Sequence, residues 1–134
     1  MAIKSIMQFI GFETKKVNYE LSSGVLESNL EFYRTVDPDL NEKKCNIIIG
    51  IRLIDSNRDD GKTLNLNVEI MGYFQFENDN DFVEENIKDL MIPNGTAILF
   101  PYLRTLISTI TGFDTLGEGV IIPTINTLNL FNNQ

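Results

Sequence analysis

The sequence predicts a single α+β domain in which four antiparallel β-strands are followed by helices. Its 134 residues are a normal length for one domain, taken as residues 1–134. Clusters of turn-forming residues divide the first 78 residues into four strand-like pieces, and beyond them apolar residues recur at helical spacing. Because the strands are sequential and the turns short, the pattern favours an antiparallel meander packed by C-terminal helices.

Four segments have the composition of strands. The first, residues 7–21, is predicted to bend near Gly11, and the second covers residues 30–36. The third, residues 47–54, is apolar on both faces for much of its length, which predicts a central strand or one covered by another subunit. The fourth strand alternates with a period of two, so one face is expected to be buried. Its apolar set is Leu64, Leu66, Val68 and Ile70.

Helical spacing begins after the fourth strand. A short helix is predicted over residues 82–90, capped by residues 79–81 and broken at residues 93–95. A second helix follows, in which Pro101 is expected near the first turn, where a missing amide hydrogen costs little. Gly112 is its expected end. The apolar stripe of this helix, expected to cover the sheet, is Leu103, Leu106, Ile107 and Ile110.

Charge and composition exclude several classes of function. The net charge of −8 argues against binding to nucleic acid or to an anionic membrane surface. No run of about 18 apolar residues occurs, so membrane insertion is not expected. The N-terminus lacks an apolar run followed by a cleavage site, so a cytoplasmic location is expected.

Candidate residues for catalysis and metal binding are few. The chain has no histidine, which removes the commonest general base and metal ligand. Cys45 is the only cysteine and is predicted to be a half-buried, unreactive thiol. The acidic loop at residues 55–61 lacks the closing acid of a calcium loop, because Leu66 stands there. We therefore predict no enzyme, no metal and no cofactor.

Charge is concentrated in the first two-thirds of the chain. From residue 92 to residue 134 the only ionisable side chains are Arg104, Asp114 and Glu118. A glycine-punctuated apolar loop follows the second helix, and apolar loop residues commonly mark a binding site for another protein. The loop residues predicted to bind a partner are Phe113, Leu116, Val120, Ile121, Ile122 and Ile125. One main helix covers only one face of a sheet, so leftover apolar strand positions predict oligomerisation.

Residues 98–108, ILFPYLRTLIS, resemble the signature helix of the SecB family of protein-export chaperones. The family pattern is approximately I-L-F-P-Y-x-R-x-x-I-S, and every fixed position is met. Residues 122–126, IPTIN, resemble the family's L-x-P-x-N-F ending. Weaker similarity links residues 68–74, VEIMGYF, to the fourth strand and residues 14–20, TKKVNYE, to the first strand's T-K-D-x-S-F-E.

The resemblance implies a SecB-like sheet with two helices, assembled as a homotetramer that is a dimer of dimers. It implies a holdase chaperone that needs no ATP, binds unfolded preproteins in an apolar groove and passes them to the motor SecA. By this resemblance, Leu64, Leu66, Val68 and Ile70 correspond to positions that matter for assembly. Phe100 and Tyr102 are predicted to join the loop residues in the client-binding surface.

The sequence also departs from the family. Glu20 keeps one acidic position of the SecA-docking surface, whereas Lys16 and Asn67 replace two others. The sequence ends eight residues after Asn126, where the family has a final helix. An alternative is therefore a dedicated chaperone or assembly module for one partner, such as an antitoxin, which would need no SecA. A more distant alternative is a protein that binds a small ligand, or an enzyme.

Overall fold

The computed structural model describes residues 7–24, 26–76, 85 and 87–113. These residues form one four-stranded antiparallel sheet with a long helix on one face. A π-helical turn leads directly into that helix. The elements are β1 (Met7–Ser22), β2 (Asn29–Asp39), β3 (Lys44–Asp55), β4 (Thr63–Phe76), the π-helical turn (Ile87–Met91) and α1 (Ile92–Thr111).

The strand order is β1-β4-β3-β2, which confirms the antiparallel sheet and refines the predicted meander. Strands β2, β3 and β4 form the meander, but β1 pairs with β4 rather than with its sequence neighbour β2. Three strand spacings separate β1 from β2, about 14 Å. The six residues 23–28 that join them can span roughly 20 Å, which is enough to cover that distance. β3 is a central strand, as its composition predicted.

Two β-bulges interrupt β1, one of them at the bend predicted near Gly11. The register shifts between Phe9 and Gly11 and again between Thr14 and Lys16. Each bulge adds one residue to β1 relative to β4 and so reverses the alternation of side chains. Phe9 pairs with Phe74 and Phe12 pairs with Gly72, which places both phenylalanines on the face that carries the helix.

The core lies between α1 and the inner face of the sheet, defined as the face covered by α1. From the helix, Leu99, Leu103 and Ile107 are fully buried, while Leu106 and Ile110 pack at its margin. The helix approaches β4 closely at Gly72, where an added Cβ would lie 2.5 Å from Cδ2 of Leu99. The main core side chains from β3 and β4 are Cys45, Ile47, Ile49, Ile51, Leu66, Val68, Ile70 and Phe74.

Helix α1 is longer than the sequence predicted. Residues 93–95 do not break it, since it runs from Ile92 to Thr111 and Met91 before it is also helical. Pro101 lies inside the helix, not in its first turn. The N–H that proline lacks would have donated to the carbonyl of Ala97. Ala97 is an exposed residue, so water can donate to that carbonyl instead. Gly112 ends the helix as predicted, and its N–H donates to the Ser108 carbonyl at 2.9 Å.

The predicted helix at residues 82–90 is described only in part. Residue 85 is helical and the π-helical turn follows from Ile87. The predicted capping residues 79–81 lie outside the described residues.

Candidate functional site

An exposed apolar surface lies where α1 passes over β1. Tyr102 stacks obliquely on Phe12, with ring centroids 4.6 Å apart, and lies 6.1 Å from Phe9. Phe9 in turn packs on Phe74 at 5.3 Å, which anchors the cluster to the core. Phe12 is 39% exposed, Tyr102 43% and Val17 44%. We name Phe9, Phe12, Val17 and Tyr102 the β1-side surface.

This surface presents rings that are held in place but only half-covered. Aromatic side chains bury large areas at low cost in conformational entropy, and offset ring pairs are favourable arrangements. The four named side chains include one polar group, the Tyr102 hydroxyl, and no charge. Such an arrangement can bind apolar side chains of another chain without demanding a particular sequence.

The opposite flank of α1 faces β2. Phe100 packs 6.1 Å from Phe32 and is only 3% exposed. It therefore supports the core and leaves no area for a client, so the candidate surface includes Tyr102 but not Phe100. The exposed apolar residue on this flank is Leu30, at 52%.

A half-buried cation lies at the rim of this β2 flank. The Arg34 guanidinium donates to the Thr96 hydroxyl over 3.3 Å, and Thr96 donates to the Ile92 carbonyl at 2.6 Å. Burial lowers the pKa of Arg34 from its usual value. Arginine nevertheless remains charged at physiological pH, so this flank is more polar than the β1-side surface.

The predicted loop is described only at its first residue. Phe113 follows the end of α1 and is 79% exposed, which fits its predicted role in binding a partner. The other predicted loop residues lie outside the described residues, and their role stays a prediction. They are Leu116, Val120, Ile121, Ile122 and Ile125.

The predicted oligomer interface on β4 requires correction. Its four residues are fully buried within the single chain, and three of them, Leu66, Val68 and Ile70, belong to the core beneath α1. A side chain without accessible area cannot contact a second subunit directly. The residues concerned are Leu64, Leu66, Val68 and Ile70.

The outer face of the sheet carries most of the polar strand residues. Glu20 is exposed there, opposite Asn65 on β4, and Lys16 lies opposite Glu69. Near the centre, the Tyr33 hydroxyl hydrogen-bonds to Asn67 and Glu69, each at 2.9 Å. The predicted SecA contact Glu20 is therefore accessible, while its role in docking remains a prediction.

Tyr33 lies flat across the outer face because β3 has a glycine beneath it. A Cβ added to Gly50 would lie 2.3 Å from the Tyr33 Cζ. The Arg52 guanidinium covers the same ring at 4.2 Å from its centroid and also pairs with Glu31 at 3.1 Å. Burial and the hydrogen bond to Glu69 raise the pKa of Tyr33. This network stiffens the centre of the outer face.

The single thiol is deeper than the sequence predicted. Cys45 is fully buried on the inner face of β3, and burial raises its pKa to about 11. A protonated, inaccessible thiol is a poor nucleophile. Within residues 7–24, 26–76, 85 and 87–113, no three acidic or cysteine side chains converge to hold a metal ion. Across the same part of the chain, no helix is both long and apolar enough to cross a membrane.

Sequence reasoning missed three residues of the β1-side surface, namely Phe9, Phe12 and Val17. A strict period of two places positions 9 and 12 on opposite faces, and only the bulge between Phe9 and Gly11 brings them to the same face. The available signal was Gly11, which marked an irregularity in the strand. The sequence could not show that a second bulge follows near Lys15.

We compared the sequence and the fold with those of known proteins. No protein-family model matches the sequence. An uncharacterized protein of Methanocaldococcus jannaschii is 38% identical over 71 residues, which cover 51% of this chain and 41% of that protein. The match therefore spans less than half of that relative's length and assigns no function.

Two solved structures are similar. Rv1957 of Mycobacterium tuberculosis, a SecB-like chaperone in complex with a ChAD peptide from the Rv1956 HigA1 antitoxin, aligns with a TM-score of 0.73. The alignment covers 89% of this chain and 90% of that one at 18% identity. A protein of unknown function from Streptococcus agalactiae aligns over 88% of this chain and 97% of its own, with 12% identity and a TM-score of 0.48. The chain has a SecB-like fold, as the signature at residues 98–108 predicted.

Proposed function

We propose that this chain, which has the SecB-like fold, is a chaperone that holds extended or non-native segments of other proteins without nucleotide. The observation that supports this most directly is the β1-side surface, an exposed aromatic surface on a SecB-like fold. The predicted loop residues after Phe113 would extend the client-binding area. No nucleotide-binding motif occurs in the sequence.

The proposed mechanism is passive burial of apolar area. Covering on the order of 1,000 Å² of client surface is worth roughly 25 kcal/mol gross. Loss of translational freedom and ordering of the client offset much of that, which leaves binding of roughly micromolar to nanomolar affinity. Selectivity is then kinetic, because a fast-folding protein buries its apolar segments before capture and a slow-folding one does not.

The second candidate function is a dedicated chaperone for one partner protein. The similarity to a chaperone bound to an antitoxin peptide favours it. The departures Lys16 and Asn67 in the outer face also favour a role without SecA. Binding to many unrelated unfolded chains would support the general holdase, whereas binding to a single partner segment would support the dedicated chaperone.

Export and assembly are further parts of the proposal. Delivery to SecA would use the outer face around Glu20, and Glu20→Lys should weaken SecA binding without affecting client binding. A homotetramer, as a dimer of dimers, remains the proposed assembly, but its contacts cannot come from the buried positions of β4. Sedimentation velocity of the purified chain measures the assembly directly, and a monomer at all concentrations would refute it.

The experiment that tests the chaperone proposal is suppression of aggregation. A slow-folding protein is diluted from denaturant, and light scattering is followed with and without this chain in the absence of ATP. We expect suppression by the wild type, and about tenfold weaker client binding by Tyr102→Asp or Phe12→Asp because each places a charge in the apolar surface. Leu40→Asp is the matched control, since Leu40 is 60% exposed in the turn after β2.

Three outcomes contradict the proposal or one of its parts. Absence of suppression by the wild type at stoichiometric ratios excludes a general holdase, and absence of binding to any extended partner segment also excludes the dedicated chaperone. Equal loss of binding in all three variants shows that the β1-side surface is not the binding surface.

A further inference from the structure

We infer that the outer face of the sheet holds a small-ligand site, which is separate from the β1-side surface and does not depend on the proposed chaperone function. Its ligand is a small monocarboxylate with a flat apolar body. The site is a surface cavity formed by β1, β3 and β4, and its lining residues are Ile10, Lys44, Asn46, Tyr73, Phe74 and Gln75.

The first β-bulge of β1 opens this cavity. The bulge leaves Ile10 without a partner on β4, and Ile10 is 60% exposed. Gly11 pairs with Tyr73, and a Cβ added to Gly11 would meet no atom within 4 Å. Open space therefore remains beside Tyr73, at a position where another strand residue would place its side chain.

The side walls of the cavity are apolar. The Tyr73 hydroxyl donates to the Glu13 carboxylate, which holds the ring in place, and Glu13 also pairs with Lys15 at 3.8 Å. Ile10 supplies an aliphatic surface. The cavity has a volume of about 190 Å³, below the roughly 300–1,000 Å³ of pockets that hold drug-sized ligands. The occupant must therefore be small, and a flat apolar body packs well beside an aromatic ring.

Three hydrogen-bond donors line the cavity without partners. Lys44 and Gln75 are cross-strand neighbours, and Asn46 lies two residues from Lys44 on the same face, about 7 Å along β3. Within the described part of the chain, none of these three side chains makes a hydrogen bond or an ion pair. Lys44 is unpaired even though Asp39 is its cross-strand neighbour on β2. An ammonium and two amides together match the several acceptor positions of a carboxylate.

The surrounding charges favour a ligand with a single negative charge. Among the described residues, Lys44 is the one charged side chain that lines the cavity. Asp37 and Asp39 lie beyond the lining, across from Asn46 and Lys44, so they would repel a second negative charge on the ligand. The net charge of −8 acts in the same direction. A monocarboxylate is therefore favoured over a phosphate or a dicarboxylate.

The side-chain amide signals of Asn46 and Gln75 report directly on this site. The full chain is labelled with ¹⁵N and titrated with phenylacetate at pH 7 and low ionic strength. We expect both side-chain signals to shift together and to saturate with a Kd of about 1 mM, a normal affinity for a ligand of about ten non-hydrogen atoms. Shifts that do not saturate, or shifts confined to Phe12 and Tyr102 of the β1-side surface, would overturn the inference.

Two further probes test the charge of the ligand. Phenylacetamide has the same apolar body without the charge, and phenethylamine carries the opposite charge. Each should bind at least about fivefold more weakly than phenylacetate, because neither offers a carboxylate to Lys44. Equal or tighter binding of either probe would show that carboxylate recognition is wrong.

Matched variants locate the site. Lys44→Gln should weaken phenylacetate binding about fivefold, whereas Lys16→Gln, which removes an exposed charge opposite Glu69, should bind like the wild type. Equal effects of these two variants would reduce the binding to general charge attraction and overturn the site.

Two more variants test the walls and the neighbouring charge. Asp37→Asn should strengthen binding about twofold, since it removes a repulsion, and weaker binding would contradict the charge argument. Ile10→Ala should weaken binding about threefold through lost apolar contact. Its control is Leu26→Ala, because Leu26 is 47% exposed in the connection after β1. Equal binding by Ile10→Ala and Leu26→Ala would show that Ile10 is not a wall of the site.

The outcomes separate this inference from the proposed function. If phenylacetate binds as expected but the chain does not suppress aggregation, the ligand site stands and the general holdase proposal fails. If aggregation is suppressed but the signals of Asn46 and Gln75 do not move, the ligand site is wrong and the chaperone proposal stands.

Discussion

Replacing Gly72 by alanine tests whether Leu99, from the signature segment, packs directly on the sheet. The added Cβ would lie 2.5 Å and 2.8 Å from the two methyl carbons of Leu99 and 2.9 Å from the Phe74 ring. Ordinary contacts between carbon atoms are about 3.5–4.0 Å, so the neighbours must move by about 1 Å. Leu99 is fully buried, which leaves it little room to do so.

The structure sets the expected magnitude for a double-mutant cycle. Gly72→Ala should lower the free energy of unfolding by about 1–3 kcal/mol through overpacking. Leu99→Ala alone should cost about 2–5 kcal/mol, since it removes a fully buried side chain. In the double variant the new methyl at position 72 enters the vacated space, so the total cost should be about 1–2 kcal/mol less than the sum.

Urea denaturation followed by circular dichroism at one fixed protein concentration measures these values, because an oligomer's stability depends on concentration. Gly24→Ala is the matched control, since its Cβ would meet only the Ser22 Oγ, at 3.8 Å. A loss below about 0.5 kcal/mol for Gly72→Ala, or strictly additive effects in the double variant, would refute direct packing of Leu99 on β4.

Three titration predictions follow from the polar and buried groups. Burial raises the Cys45 pKa to about 11, so about one thiol in a thousand is ionised at pH 8. A thiol reagent should therefore label the native chain only as fast as the chain unfolds. Rapid labelling of the native chain would contradict the burial of Cys45. Tyr33 keeps its proton to higher pH in the folded state, since its pKa is raised. The free energy of unfolding should therefore fall as pH rises above about 10, and should fall less in Tyr33→Phe. An equal fall between pH 9 and pH 11 in the two proteins, measured by urea denaturation, would exclude this contribution. Hydrogen bonds from Arg58 lower the Asp60 pKa to about 2; NMR titration should show that value return towards normal in Arg58→Ala, and an unchanged midpoint would contradict the pair.

Much of the fold follows from local patterns in the sequence. The alternation along β4 and the stripe Leu103, Leu106, Ile107 and Ile110 predicted which faces are buried, because period-two and helical spacing each segregate side chains onto one side. The apolar character of both faces of residues 47–54 identified the central strand. The signature at residues 98–108 led to the SecB-like fold that the structural comparison shows.

The candidate site was less predictable. Tyr102 was anticipated, but its partners Phe9 and Phe12 share a face only because a bulge intervenes. Phe100, adjacent to Pro101 in the same segment, turns to the opposite flank and is buried against Phe32. Successive helical residues point about 100° apart, so membership in a motif does not decide which side chain is exposed.

By itself, the sequence determined the α+β class, the central strand, the buried face of β4 and the helix end at Gly112, because these depend on the spacing of neighbouring residues. Only the tertiary structure decided that β1 pairs with β4, since this requires Met7 to meet Phe76 across about half of the chain. It also decided that Pro101 lies within α1, where Ala97, the residue whose carbonyl loses its helical partner, is exposed. The exposed surface depends on those same long-range contacts, which local residue patterns do not encode.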